Sequence, residues 1–342
     1  MVLFKGVAKT VSRLDSFNNW IKLFSILMVF SFLLSLGGAY YWALDLFRHF
    51  IVQYALLSLL FGVLATTRKL WLYVLLMAVL SVLCGLEVAG RLDYVSNAPE
   101  EAIRGDDVLK VIVYNRHHSL TDHKAMVDFI RSENPDIFFI LEANSSHAET
   151  LKKDLNAAYP YRFLLPKDNS AFGMVAASKH RFKLKWNTHS HLLGEEFDGI
   201  ANFIMIASIV PDGHKPVTFY ALHTPPPMRP YLFTQRNAEL EHVADLINQR
   251  HRKRDDSIVL LGDWNITPYS PFFSRLLKDA GLKNQTTTPY FLPSWPSNAP
   301  AFAQIPIDHI LFKGMLRLLE KRRGPSLGSD HHAIIAVFKI VD

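Results

Sequence analysis

Asn115, Glu142 and His223 each stand directly after a strand-like run (109–114, 137–141 and 217–222), and Asp263 follows a fourth (258–261) after Gly262, with Asn265 two residues on. Two further runs carry groups of the same kind: Asp308 lies inside Ile305-Pro306-Ile307-Asp308-His309-Ile310-Leu311, and Asp330 and His331 lie in Gly328-Ser329-Asp330-His331-His332. A buried strand delivers such side chains to the rim of a sheet, where a carboxylate faces a ligand without the cost of burying an unpaired charge. A hard divalent cation such as Mg²⁺ takes oxygen ligands and keeps several waters, so one or two carboxylates and an amide suffice to hold it. Glu142 is the first choice as ligand, with Asn115 beside it. A metal with imidazoles nearby is a set suited to displacement at phosphorus, where charge develops on oxygen. The expected chemistry is hydrolysis of phosphate esters.

The elements that must position these residues alternate. Strand-like stretches recur at 109–114, 137–141, 173–177, 203–210, 217–222, 258–261, 309–312 and 333–338, with helical patterns at 122–132, 148–156, 231–249 and 271–279. That order predicts an α/β domain with helices covering sheets, over residues 108–342. Its length suffices for a sizeable core, and several strands are apolar enough to be buried on both faces.

The amino-terminal part is of another kind. Residues 23–44, 50–67 and 70–86 contain no charged residue and predict three transmembrane helices, the second and third at the short limit for a hydrocarbon core of roughly 30 Å. A cleaved secretory leader is the alternative for the first run, since Lys5, Lys9, Arg13 and Lys22 precede it. Two more apolar runs at once, separated only by 45–49 and by Arg68-Lys69, suit a helical hairpin bundle better. Basic residues in short loops stay cytoplasmic, which places the tail 1–22 inside and, after three crossings, the catalytic part on the far side, meaning the periplasm or cell exterior if the source is bacterial, with the spans in its inner (cell) membrane. Residues 87–107 lose periodicity and predict a linker.

The lone Cys84 lies in the third apolar run, which leaves no disulfide or cysteine–zinc site within the chain. From Gly105 onward 28 basic residues face 25 acidic ones, a net +3 too weak to announce nucleic acid. The basic clusters at 251–254 and 321–323 suit phosphate or anionic lipid, but such clusters are more often solvated turns.

In order and spacing, Asn115, the 135–142 stretch, His223, Gly262-Asp263-Trp264-Asn265, Ile307-Asp308-His309 and Gly328-Ser329-Asp330-His331 resemble the endonuclease/exonuclease/phosphatase superfamily, relatives of DNase I and exonuclease III. The three leading apolar runs look like a bacterial membrane-anchored branch of it. The resemblance implies a four-layer α/β/β/α sandwich with its site at one rim. It further implies that Glu142 binds Mg²⁺ or Mn²⁺ with Asn115 and Asp330 on the metal side, and that Asp263 orients or deprotonates the attacking water. His331, positioned by Asp308, would bind the scissile phosphate; His223 would donate to a phosphoryl oxygen; Asn265 would hold the phosphate or metal shell. An Asp-His pair fixes the ring tautomer and favours the imidazolium that a phosphate site needs. The chain departs from the pattern at Leu141, often Gln, at Trp264, usually Phe, and at His117, where some nucleases carry Asp.

Other polar residues have plainer readings. Asp263 alone would be a turn residue or helix cap. His309 and His332 point away from their better-placed neighbours by strand alternation and are expected to be structural. His117, His118 and His123 are too irregularly spaced to announce zinc and are expected to face solvent. Trp295, bounded by Pro293 and Pro296, either stacks on a substrate base or sugar or packs in the core. Arg236 and Asn237 are expected to be structural. Candidate substrates are nucleic acid and lipid-derived or other small phosphate esters; the bilayer is the other expected partner, and no obligatory protein partner is implied. A noncatalytic phospholigand-binding scaffold is the rival, disfavoured because the polar motifs are nearly complete.

Overall fold

The computed structural model describes residues 2–105, 107–188, 203–250 and 257–341, so the basic run 251–254 lies outside the described residues. By contact the chain divides into two compact units, Met1–Arg91 with Tyr269–Pro271, and Leu92–Pro268 with Phe272–Asp342.

The first unit holds α1 (Val2–Ser35), α2 (Trp42–Arg48), α3 (Ile51–Thr67) and α4 (Trp71–Arg91). Asp15–Ser35 and Trp71–Arg91 are each long and apolar enough to cross a membrane; α2 and α3 pass the same test only as a pair bent by 58°, so there are two candidate spans, or three if the pair counts as one. The expected helix boundaries are corrected in two places. The first run breaks after Ser35 in a turn through Gly37 and Gly38, and residues 45–48, expected as a loop, belong to α2, where Asp45 is fully buried. Polar contacts gather at the helix ends: Glu87 Oε1 lies 2.6 Å from both Arg48 and Arg91, and Arg68 Nε donates to Asn18 Oδ1 at 2.8 Å. Between these ends Phe30, Leu33, Leu59, Val63, Leu75 and Val82 are more than half exposed. These residues lie on helices whose length and apolar composition are those of candidate spans.

The second unit contains β1 (Asp93–Tyr94), α5 (Glu100–Ile103), β2 (Val108–Asn115), α6 (Lys124–Glu133), β3 (Ile137–Leu141), α7 (Ser145–Asp154), β4 (Tyr161–Leu165), β5 (Met174–Ser178), β6 (Phe182–Thr188), β7 (Phe203–Ile209), β8 (Val217–His223), α8 (Pro230–Arg250), β9 (Ser257–Asp263), α9 (Pro271–Ala280), β10 (Gln285–Thr286), β11 (Asp308–Lys313), β12 (Leu316–Arg323) and β13 (Ile334–Ile340). One sheet runs β12-β13-β2-β3-β5-β4 and the other β11-β9-β8-β7-β6. In each, one parallel pair is embedded among antiparallel neighbours: β2 with β3, and β8 with β9.

Strand alternation builds the layers. Leu109, Val111 and Val113 face a core shared with Phe219, Val259 and Leu261 of the other sheet, whereas Ile112 and Tyr114 face Met126, Ile130 and Leu151 of α6 and α7. Tyr220, Leu222 and Leu260 likewise meet Leu240, Val243 and Phe273 of α8 and α9. The result is a four-layer α/β/β/α sandwich with two-faced strands at its centre. Local chemistry sets the helix ends: Pro230 and Pro271 start α8 and α9, where the missing N–H costs nothing. Asn134 closes α6 in the left-handed region, and Asn144 with His147 forms a capping box on α7. Of the expected linker 87–107, residues 87–91 belong to α4, and the segment after it is tied into this unit: β1 pairs in parallel with β10, and Ala98 N donates to Leu319 O at 3.0 Å.

Candidate active site

The two parallel strand pairs end side by side. Asn115 closes β2 in register with Leu141, so Glu142 follows immediately beyond; His223 and Asp263 are register partners at the ends of β8 and β9, and Asp308 pairs with Asp263 across the antiparallel β11. Asn115 joins the two sheets: its Nδ2 donates at 3.0 Å to Glu142 Oε1 and at 3.0 Å to Asp263 Oδ2. Ser329 holds Asn115 from behind through Oγ to its backbone oxygen at 2.8 Å, and the same hydroxyl accepts from His331 N at 3.2 Å.

Asp263 is buried and crowded. Asn265 N donates to its Oδ1 at 3.0 Å, while His223 Nε2 stands 3.5 Å and His331 Nε2 3.7 Å from its Oδ2. Burial first, then the Asp308 charge, push the Asp263 carboxyl up to about 6, against the pull of His331 and His223. His331 Nδ1 lies 2.8 Å from Asp308 Oδ2. Burial opposes its protonation, yet Asp308 and Asp263 outweigh burial and raise the imidazole to about 10, so it is an imidazolium at neutral pH. For Glu142, burial raises the pKa, but His223 and the bonds from Asn115 and His118 prevail and hold it below the usual carboxylate range. Asp308 Oδ1 is a buried oxygen with no hydrogen-bond partner.

The backbone is unusual where these groups meet. Glu142, Asn265 and His117 take φ values of +56°, +49° and +60°, a region that costs a non-glycine residue about 1–3 kcal/mol and clusters at ligand sites. Gly262 has φ +146°, and a Cβ there would lie 1.8 Å from Leu222 O. Only glycine lets β9 pass β8 so closely just before Asp263.

The structure thus brings Asn115, Glu142, His223, Asp263, Asp308 and His331 together. Two expected residues sit differently. Asn265 spends its side-chain amide on Thr224 O at 2.9 Å, and its carbonyl accepts from the buried Arg236 Nη1 at 3.2 Å, so Arg236 anchors the Asp263 turn. Asp330, expected on the metal side, accepts from Trp295 Nε1 at 3.2 Å and belongs to neither group of possible metal ligands among the described residues, which are His117, His118 and Glu142, and Asp263, Asp308 and His331. Trp295 is exposed, with its ring nitrogen on Asp330 and its backbone bridged to Ile305. His309 Nε2 is bonded to Ile266 O at 2.7 Å and its ring stacks on Trp264; His332 Nδ1 meets Gly324 O at 3.1 Å. Lys321, expected in a solvated turn or on phosphate, is buried in β12, with Nζ donating to Ile310 O at 2.9 Å.

Sequence reasoning set His118 in solvent and gave Ser329 no role of its own. His118 donates its backbone N–H to Glu142 Oε2 at 3.2 Å, and its Nδ1 lies 3.1 Å from the same oxygen. No spacing signal marks it. The expectation that all three loop histidines face solvent is corrected: His123 is buried, with Nε2 on Ser146 Oγ at 2.7 Å.

Solved structures share this fold. An endonuclease/exonuclease/phosphatase from Beutenbergia cavernae is 18% identical with a TM-score of 0.55 over 69% of this chain and 72% of its own. Truncated Caenorhabditis elegans TDP2 is 17% identical, TM-score 0.53, over 68% and 98%, and D. rerio TDP2 complexed with single strand DNA product is 16% identical, TM-score 0.54, over 68% and 98%. No curated protein matches the sequence. The family model for the endonuclease/exonuclease/phosphatase family matches residues 113–331, more than half of the chain and the span from the end of β2 to the Asp308–His331 pair; the chain belongs to this family and is a hydrolase acting on ester bonds.

Proposed function

We propose that this chain is a membrane-anchored, divalent-metal-dependent phosphodiesterase that cleaves its ester by in-line attack of water. The observation that carries it is the single Asn115 amide bridging Glu142 and Asp263 beside the buried Asp308–His331 pair. Glu142, with Asn115, would hold the cation; the exposed edge of a carboxylate already fixed by an amide fits a hard ion with several waters. The cation, Mg²⁺ or Mn²⁺ by family resemblance, supplies Lewis-acid neutralisation of the phosphoryl oxygens when bound. Asp263 accepts the proton of the attacking water, and the His331 imidazolium, its tautomer fixed by Asp308, donates to a phosphoryl oxygen. His223 donates from the other side, held through Nδ1 by Ala171 O at 3.2 Å. Asn265 shapes the Asp263 turn, and Trp295 is the substrate-facing aromatic.

Nucleic acid is the first substrate class, supported by the fold shared with a single-stranded DNA product complex. The outward apolar faces of α1, α3 and α4 favour a lipid-derived phosphodiester as a second. With three spans and a cytoplasmic basic tail, the catalytic domain is extracytoplasmic; a compartment-sensitive reporter fused to the carboxyl terminus tests this. The purified chain, assayed with Mg²⁺ on single- and double-stranded DNA, RNA and phospholipid, is expected to turn over at least one of them, and Asp263→Ala and His331→Ala to abolish it. Turnover untouched by both substitutions refutes the site.

A further inference from the structure

The loop after β2 brings nitrogen ligands to Glu142. His118 Nδ1 lies 3.1 Å from Glu142 Oε2, and one ring nitrogen of His117, one of His118 and a carboxylate oxygen of Glu142 all fall within 4.8 Å of one another. The two rings stack, with centroids 5.1 Å apart, and Ser119 Oγ, 2.8 Å from His117 Nδ1, fixes the first of them. Donors about 2.1 Å from one ion stand roughly 3.0 Å apart when cis and roughly 4.2 Å apart when trans, so the His118–Glu142 spacing is that of two ligands on one cation. A hydrogen bond alone does not account for the arrangement. Glu142 Oε2 already accepts from the His118 backbone N–H, and with the His118 side chain 41% exposed its ring nitrogen has water as a ready alternative partner, so the second bond to the same oxygen adds little. The left-handed backbone at both His117 and Glu142 is strain kept at the point where the three side chains converge.

We propose that His118, with His117 beside it, supplies imidazole ligands to the cation held by Glu142, and that this makes the site select a later first-row transition ion such as Co²⁺ or Zn²⁺ over Mg²⁺. The proposal rests on Glu142 being the metal ligand of the proposed function and adds which ion that ligand set takes. Imidazole suits Zn²⁺ and its neighbours, whereas Mg²⁺ demands oxygen and gives up water reluctantly.

The test is binding, not turnover. The full chain in detergent is stripped with a chelator and titrated separately with Co²⁺ and Mg²⁺ by calorimetry, and the Co²⁺ form is followed by its visible d–d absorption. Wild type is expected to bind Co²⁺ about 100-fold more tightly than Mg²⁺. His118→Ala should lose about 100-fold in Co²⁺ affinity, with a changed d–d band, while Mg²⁺ affinity moves less than about threefold. His118→Gln, which offers oxygen in place of nitrogen, should narrow the Co²⁺ to Mg²⁺ ratio without changing the melting temperature. Equal loss of both ions in His118→Ala, or loss of neither, overturns the proposal and leaves His118 a hydrogen-bond partner only. If Glu142→Gln binds both ions as wild type does, the metal site itself fails, a separate outcome from retained Glu142 dependence with no histidine dependence.

Discussion

Gly262→Ala is the substitution for which the geometry gives the sharpest expectation. The added Cβ would lie 1.8 Å from Leu222 O and 3.0 Å from Leu222 C, both backbone atoms of a neighbouring strand that cannot swing aside. Restoring contact requires β8 and β9 to part by more than 1 Å, roughly the displacement that costs about 100-fold in rate when it falls on a catalytic group. The φ of +146° adds a backbone cost of about 1–3 kcal/mol, and forcing a methyl into a packed layer adds about 1–3 kcal/mol more. In a unit of this size that total lowers the melting temperature by about 10 °C. Gly281→Ala is the control: its φ is +64° but nothing lies within 4 Å of the new Cβ, so it bears backbone strain without a clash. Thermal melting and turnover of the two purified variants side by side separate the terms. A Gly262→Ala protein as stable and as active as Gly281→Ala would refute the idea that this close strand approach sets Asp263 in place.

Asp308→Asn removes the anion at His331 Nδ1 and is expected to lower kcat by about 10²–10⁴-fold with KM little changed, as steady-state kinetics would show. Because folding raises His331 from about 6.5 to about 10, its pairing stabilises the protein fully below about pH 6.5 and ceases to do so as pH rises through 10. The melting-temperature gap between wild type and His331→Gln should therefore close over that window, and a gap independent of pH would contradict the pairing. Asp263, raised to about 6, must be ionised to take a proton, so kcat/KM should fall as pH drops through about 6; an acid limb near 4 would exclude it as the base. Trp295→Ala should raise KM for single-stranded DNA at nearly constant kcat, and an unchanged KM would assign the ring to packing with Asp330.

What the sequence made legible, and what it hid, follows from where each element lies. Central strands such as β3, β8 and β9 are buried on both faces, and their unbroken apolar runs announce them. The strands that went unnoticed, β4, β6 and β12, are all sheet edges. Lys183 in β6 and Glu320, Arg322 and Arg323 in β12 interrupt the apolar pattern with the charge that edge strands carry, so no unbroken run announces them. The Asn115, Glu142, His223 and Asp263 positions were readable because each ends a strand that was itself readable. His118 was not, since it reaches Glu142 through a loop whose course depends on a left-handed His117, and nothing in the spacing of three histidines encodes that. Asp330 misled for the opposite reason. It lies next to His331 in sequence, but its carboxylate is held by Trp295, a residue brought there by the chain before β11.

The Asn115 amide reaches one carboxylate from each sheet, across 27 residues of chain to Glu142 and 148 to Asp263. Neither sheet on its own owns a complete set of reactive groups, so hydrolysis begins only when the two halves have closed on one another. Turnover is then a direct gauge of that late, long-range event, and a partly assembled chain is silent even if every strand within one half has formed. Such silence keeps nascent copies of a hydrolase harmless until they are whole.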